Sequence, residues 1–157
     1  MNASPYGGDE AKQELLRRAG SLIILKYMGK YWHGSQSKHR LMYHLVWIPK
    51  YRKRVLKGKV AERIKELLHE CADLQRWKIE ELNIQPDHIH MLIQMNPNVS
   101  VSRMVQLFKG MTSRIVREEF PELKEFLWGK SFWSDGYFAE TCGQLNEDRI
   151  REYIQNQ

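Results

Sequence analysis

The rhythm of apolar residues along this chain predicts an α+β fold, a β-α-β-β-α-β core followed by one more helix. Three observations carry that expectation. Two long segments repeat their apolar residues at helical spacing, and four shorter ones read as extended strands. Proline, glycine and asparagine clusters fall between them as turn signals. The order is that of a ferredoxin-like split βαβ arrangement, one sheet with two helices packed on a face.

The elements follow from His39 onward. Leu41, Tyr43, Leu45 and Trp47 alternate with Met42, His44, Val46 and Ile48, which makes a strand that Pro49 ends. Val60 to Leu74 is a helix, with Ile64, Leu67, Leu68, Cys71 and Leu74 on one face. Trp77 to Ile84 and His88 to Met95 are strands separated by the Pro86-Asp87 turn. Ser100 or Ser102 caps a second long helix running to about Phe120, with Met104, Leu107, Phe108, Met111 and Ile115 inward. Pro121 to Leu127 adds a short helix, Gly129 to Asp135 a loop, and Gly136 to Cys142 the fourth strand. Asn146 caps the last helix, with Leu145 and Ile150 placed as a hydrophobic staple. Residues 1–37 form an N-terminal extension: a polar, disordered start, a short helix over Glu10 to Ala19, and turn-rich residues from Gly29 to Lys38. Residues 38–157 form the single folded domain.

Composition bounds the partners. The 157 residues carry a formal net charge of +6, which favours a polyanion and above all nucleic acid. The apolar run Leu22 to Leu25 is far too short to cross a membrane, so no membrane partner is expected. No secretory leader pattern opens the chain, and the expected location is cytoplasmic. Cys71 and Cys142 lack metal spacing and read as reduced packing residues.

Within the third strand, His88 and His90 project to one face, with Cβ atoms about 6.6 Å apart. Imidazoles at that separation can converge on one metal; they also fit a half-exposed strand with two polar residues. Asp87 is placed either to orient a histidine or simply to make the turn. Tyr153 and Gln157 are four residues apart on the last helix and so share a face. A phenol is a weak nucleophile at neutral pH until something assists it. The amide oxygen of Gln157 suits a hard cation such as Mg²⁺ or Mn²⁺. Lys50, Arg52, Lys53 and Arg54 make a basic segment, and Arg103, Lys109 and Arg114 add charge on the second long helix, where Arg117 and Gly110 also lie. They are candidates for phosphate contacts. Phe132, Trp133, Tyr137 and Phe138 fit either stacking on unpaired bases or packing against the sheet. His33, His39, His44 and His69 have no partner spacing that singles them out.

Taken in order, Tyr43-His44-Leu45-Val46-Trp47-Ile48-Pro49-Lys50-Tyr51-Arg52, Pro86-Asp87-His88-Ile89-His90-Met91-Leu92, the segment from Leu127 to Phe138, and Tyr153-Ile154-Gln155-Asn156-Gln157 resemble a known family. It is that of the small single-tyrosine HUH transposases of insertion sequences, of the IS200-like or TnpA type. The resemblance implies that Tyr153 is the nucleophile and that His88, His90 and Gln157 hold a divalent metal ion. It implies a 5′-phosphotyrosine intermediate on single-stranded DNA with hairpin ends. It also implies a homodimer in which the tyrosine helix of one subunit completes the other's histidine site. Two further readings use much of the same sequence: a palindrome-processing or replication-type nickase, and a non-catalytic single-stranded nucleic-acid-binding module.

Overall fold

The computed structural model describes residues 31–33, 36–127 and 131–157. The helix expected over Glu10 to Ala19, and the polar start before it, lie outside the described residues. The chain divides into two compact units, Met1–Arg40 and Leu41–Gln157. In the first, β1 (Trp32–His33) pairs antiparallel with β2 (Lys38–His39), and the Trp32 and His39 rings meet edge to face.

The second unit runs β3 (Leu41–Trp47), a 3₁₀ turn (Lys50–Arg52), α1 (Gly58–Gln75), β4 (Lys78–Gln85), β5 (His88–Met95), α2 (Val101–Glu119), α3 (Leu123–Leu127), β6 (Phe138–Thr141) and α4 (Gln144–Gln155). The sheet order is β4-β5-β3-β6, with every neighbouring pair antiparallel. Each β-α-β connection therefore skips over one strand, which is the split arrangement expected of a ferredoxin-like α+β fold. Among the described residues no helix is long and apolar enough to cross a membrane.

Strand alternation gives the sheet two unlike faces. Leu45, Trp47, Ile89, Met91, Ile93 and Met95 join the main core with Ile64, Leu67 and Leu68 of α1 and Met104, Phe108 and Val116 of α2. The opposite face carries a small cluster of Met42, Leu92, Cys142 and Ile154, against which Ile150 packs. The two cysteines are buried on opposite sides of the sheet, Cys71 in the main core and Cys142 in the small cluster.

Several local expectations shift. Leu74 is 75% exposed, because the buried stripe of α1 continues through Cys71 to Ala72 and then passes to Trp77 beyond the left-handed cap at Arg76. On α2, Val105, Thr112 and Val116 are buried, while Leu107, Met111 and Ile115 only flank the core. Ser100, not Ser102, caps α2, its hydroxyl accepting from the Arg103 amide. Asn146 does not cap α4: the Gly143 carbonyl already accepts from the amides of Asn146 and Glu147, which puts Asn146 inside the first turn. The fourth strand shortens to Phe138–Thr141.

The chain from Ser131 to Ser134 is bound to the end of β3. Lys50 donates to the Phe132 carbonyl at 2.8 Å and Ser134 to that of Ile48 at 3.0 Å. Phe132 and Trp133 are buried, so half of the expected aromatic cluster is core. The Trp133 indole donates to Thr112 Oγ1 at 2.9 Å, and that hydroxyl donates to the Phe108 carbonyl at 2.7 Å. Removing the hydroxyl strands a buried indole N–H, a loss of about 1–3 kcal/mol. Thr112→Val is therefore expected to lower the urea midpoint at unchanged slope. An unmoved midpoint would mean that the indole finds another acceptor.

Candidate active site

The side of the sheet away from α1 and α2 is where the polar residues gather. The strand register sets His90 opposite Val46 on one neighbour and Asn83 on the other, with His44 opposite Leu92 and Glu140. His44, His88 and His90 thus share a face with Glu81, Asn83 and Gln85 of β4 and with Phe138 of β6. The rings of His88 and His90 stand edge to face, 4.8 Å between centroids. His90 is buried and His88 partly so.

Each histidine has a partner on Nδ1. That of His88 lies 2.7 Å from Asp87 Oδ1, and Asp87 accepts from Arg52 Nε at 3.0 Å through its other oxygen. Both contacts hold the Asp87 carboxyl below its ordinary range, the His88 hydrogen bond most of all. The Nδ1 of His90 lies 3.1 Å from Nε2 of His44. Burial, aided by the charges of His88 and His44, pushes His90 down to about 4, so it stays neutral through the ordinary pH range. Burial also lowers His44, with Glu140 pulling the other way.

Helix α4 lies across this face. Ile150 and Ile154 meet Met42, Leu92 and Cys142, and the spacing of four residues keeps both on one side. A polar clasp reinforces the contact. Arg151 donates to Glu81 at 2.6 Å and to Glu147 at 3.0 Å, and Gln155 donates to the same Glu81 oxygen at 3.1 Å. Asn83 donates to the Ile154 carbonyl at 2.9 Å, satisfying a backbone group that the helix end leaves open. A register shift between Ile79 and Glu81 brings Glu80 to the clasp as well, 3.7 Å from Arg151.

This docking sets the Tyr153 ring 5.4 Å from that of His90 and 6.5 Å from that of His44, both edge to face. Tyr153 remains 50% exposed, so a large substrate can reach its hydroxyl. The clasp ties α4 to its own β4 and sets Tyr153 beside the histidines of the same chain.

The other expected site residues divide. Gln157 lies two residues past the end of α4, which closes at Gln155, and is exposed. Among the described residues no group of three His, Cys, Asp or Glu side chains could hold a metal. The pair itself nevertheless suits a cation: His90 stays neutral, and with the Asp87 carboxylate accepting a hydrogen bond from Nδ1–H of His88, the Nε2 lone pair of that ring is left for a ligand. Lys53, Arg54, Arg103 and Arg114 are exposed, with Arg103 turned toward Gln106. Gly110, Ser113, Arg114, Arg117 and Lys124 line a groove of about 420 Å³, and a Cβ at Gly110 would meet nothing within 4 Å. Lys109 is placed differently: its ammonium donates to the carbonyls of Ser134 and Gly136 at 2.8 Å and of Asp135 at 3.3 Å, fastening the loop before β6. Lys50 lies 3.8 Å from the exposed Asp135 carboxylate. Sequence reasoning passed over His44 and left Asp87 between two roles; Pro86-Asp87-His88 was the available signal for the second.

An antiparallel sheet with paired histidines and a tyrosine helix on its open face defines a DNA-processing enzyme of the transposase class once its relatives are considered. The family model described as "Transposase IS200 like" matches residues 37–157, and the chain belongs to that family. It is 34% identical over 119 residues to the ISDra2 transposase TnpA of Deinococcus radiodurans, covering 76% of this chain and 85% of that protein. It is also 34% identical over 123 residues to the transposase for insertion sequence element IS200 of Salmonella typhimurium, covering 78% and 80%. A crystal structure of a putative transposase from Deinococcus radiodurans superposes with a TM-score of 0.67 at 32% identity, covering 80% of this chain and 97% of that one. A REP-associated tyrosine transposase bound to a REP hairpin shares the fold, with a TM-score of 0.56 at 10% identity over 78% and 70% of the two chains.

The depressed basicity of His90 has a measurable consequence. As pH falls below 6.5 the unfolded chain protonates this imidazole, whereas the folded chain resists until about 4. The unfolded state then binds more protons, so stability falls across that interval. With chelator present, the melting temperature should drop from pH 6.5 to 4, and His90→Gln should flatten the slope. Equal slopes would place the native pKa near that of the unfolded chain.

Proposed function

We propose that this protein cleaves and rejoins single-stranded DNA at the ends of an insertion sequence through a 5′-phosphotyrosine link on Tyr153. The observation that carries the reading is the docking of Tyr153, half exposed, with its ring 5.4 Å from that of His90. In the forward step the phenolic oxygen bonds to phosphorus and the P–O3′ bond breaks. The phenol proton passes to solvent and the 3′ oxygen leaves as a hydroxyl. The link keeps the energy of the broken bond, so a second 3′ hydroxyl can reverse the step without a nucleotide cofactor.

The imidazoles of His88 and His90 suit lone-pair donation to Mg²⁺ or Mn²⁺, with the Gln157 amide as third protein ligand. A nitrogen with a pKa near 4 is a poor base but a usable ligand. When bound, such a cation supplies positive charge beside the reacting phosphate and the departing oxygen. Lys53, Arg54, Arg103 and Arg114, with the groove beside Gly110, are the exposed positions for backbone phosphates and for a hairpin. Excision joins two element ends, which calls for two tyrosines and hence a homodimer. We place the reaction in the cytoplasm, where the host DNA is.

The deciding experiment incubates the protein with single strands from the DNA flanking its gene, in Mg²⁺ or Mn²⁺, and resolves the products on a denaturing protein gel. A covalent protein–DNA band is expected, absent with Tyr153→Phe or chelator. An adduct surviving Tyr153→Phe would assign the nucleophile elsewhere, and tight hairpin binding without adduct would favour the binding-module reading. Separately, Asp87→Asn removes the anion that fixes the His88 ring and should weaken Mn²⁺ binding about 10–100-fold. An unchanged affinity would leave Asp87 as a turn residue only.

A further inference from the structure

His44 has no place in the mechanism above, yet it is 7% exposed and its ring touches that of His90. The two rings are almost parallel, 12° between planes, with centroids 5.4 Å apart. That separation is what the 3.1 Å N···N contact gives when the rings meet edge to edge in one plane. The contact is therefore an in-plane imidazole–imidazole hydrogen bond and not a face-to-face stack. Phe138 and Tyr153 present edges to the His44 ring at 5.8 and 6.5 Å, flanking it.

We propose that His44 is a positioning residue for the histidine pair: its Nε2 accepts the Nδ1 proton of His90 and so leaves the Nε2 of His90 bare. This rests on the reading of His88 and His90 as a ligand pair. Two neutral imidazoles facing each other share one proton, and the stronger acceptor does not carry it. Glu140, directly across the strand from His44, sets a carboxylate beside that ring, whereas His90 lies between two imidazoles, those of His44 and His88. The acceptor is thus His44. The two members of the pair then match, each with Nδ1 tied to an acceptor and Nε2 bare. One acceptor is the Asp87 carboxylate and the other a neutral ring from a strand 46 residues away. With the opposite proton placement His90 would present an N–H and no lone pair.

Long-range ¹H–¹⁵N correlation spectra of the full chain, metal-free at neutral pH, read the tautomers directly, with His90→Gln assigning the signals. The expected result is His90 protonated on Nδ1 and His44 bare on Nε2; a proton on His44 Nε2 overturns the proposal. Mn²⁺ titration followed by electron paramagnetic resonance adds a second readout. His44→Phe, which offers no acceptor, should bind about 10–100-fold more weakly, and His44→Gln, whose amide oxygen can accept, should recover most of that loss. Equal affinities of His44→Phe and the unaltered protein would also overturn it. If His88→Ala binds Mn²⁺ normally, the ligand-pair reading fails on its own, and the tautomer spectra still decide the role of His44. Should His44→Phe not fold, those spectra need no variant at that position.

Discussion

Everything on the open face depends on the registration of β5 between its two neighbours. A strand alternates its side chains with a period of two, so slipping by one residue would bury the histidines under α1 and α2 and turn Ile89, Met91 and Ile93 outward. What forbids the slip is the main core. Trp47 opposes Ile89, Leu45 opposes Met91 and Tyr43 opposes Ile93, all packed against the two long helices. Each fully buried large apolar side chain contributes about 1.5–3 kcal/mol, so several together outweigh any alternative pairing. The site is thus held from behind by residues that never touch it.

The tyrosine depends on a weaker and more polar arrangement. Among the described residues, helix α4 sets Ile150 and Ile154 against a small apolar cluster, and much of its attachment runs through Arg151, Glu81, Glu147 and Asn83. Glu147 is 2% exposed, so removing Arg151 would leave a buried carboxylate without that partner. Glu81 and Asn83 on β4 are what the helix meets, and Gln85 holds the Asn83 amide from within the strand. An edge strand that would otherwise offer plain backbone instead presents side chains matched to one helix. Holding Tyr153 by hydrogen bonds and not by a wide apolar seam makes its position specific while keeping its ring half exposed.

How far the sequence discloses this site depends on the kind of spacing involved. The His88–Ile89–His90 pair and the fold order were legible because period-two and period-3.6 patterns are local. Tyr153 became prominent only through the order of motifs along the chain. His44 was not legible, because its partnership with His90 spans 46 residues and exists only through strand register. Lys109 looked like one more cation on a basic helix; its ammonium is held by three loop carbonyls that a sequence pattern cannot align. Gln157 was placed on the helix by counting in fours, a count that fails where α4 ends two residues earlier.

The turn at Lys50–Arg52 shows what the site imposes on its surroundings. Tyr51 and Arg52 have φ values of 57° and 50°, a left-handed conformation that costs non-glycine residues about 1–3 kcal/mol each. Three backbone hydrogen bonds fix it: Lys50 to Phe132, Arg52 to Pro49 and Lys53 to Lys50. The Phe132 side chain is itself fully buried, so the strain is anchored in the core. A relaxed turn would need none of this. What the strained one accomplishes is to deliver Arg52 to Asp87 at 3.0 Å, beside the carboxylate oxygen that meets His88. The His88 hydrogen bond and the guanidinium together hold that carboxylate ionised, so it accepts a hydrogen bond from the imidazole N–H and does not donate one. One arginine of the basic segment that looked like a phosphate-binding patch thus pairs with Asp87, 35 residues on, and through it sets the ring of the first histidine.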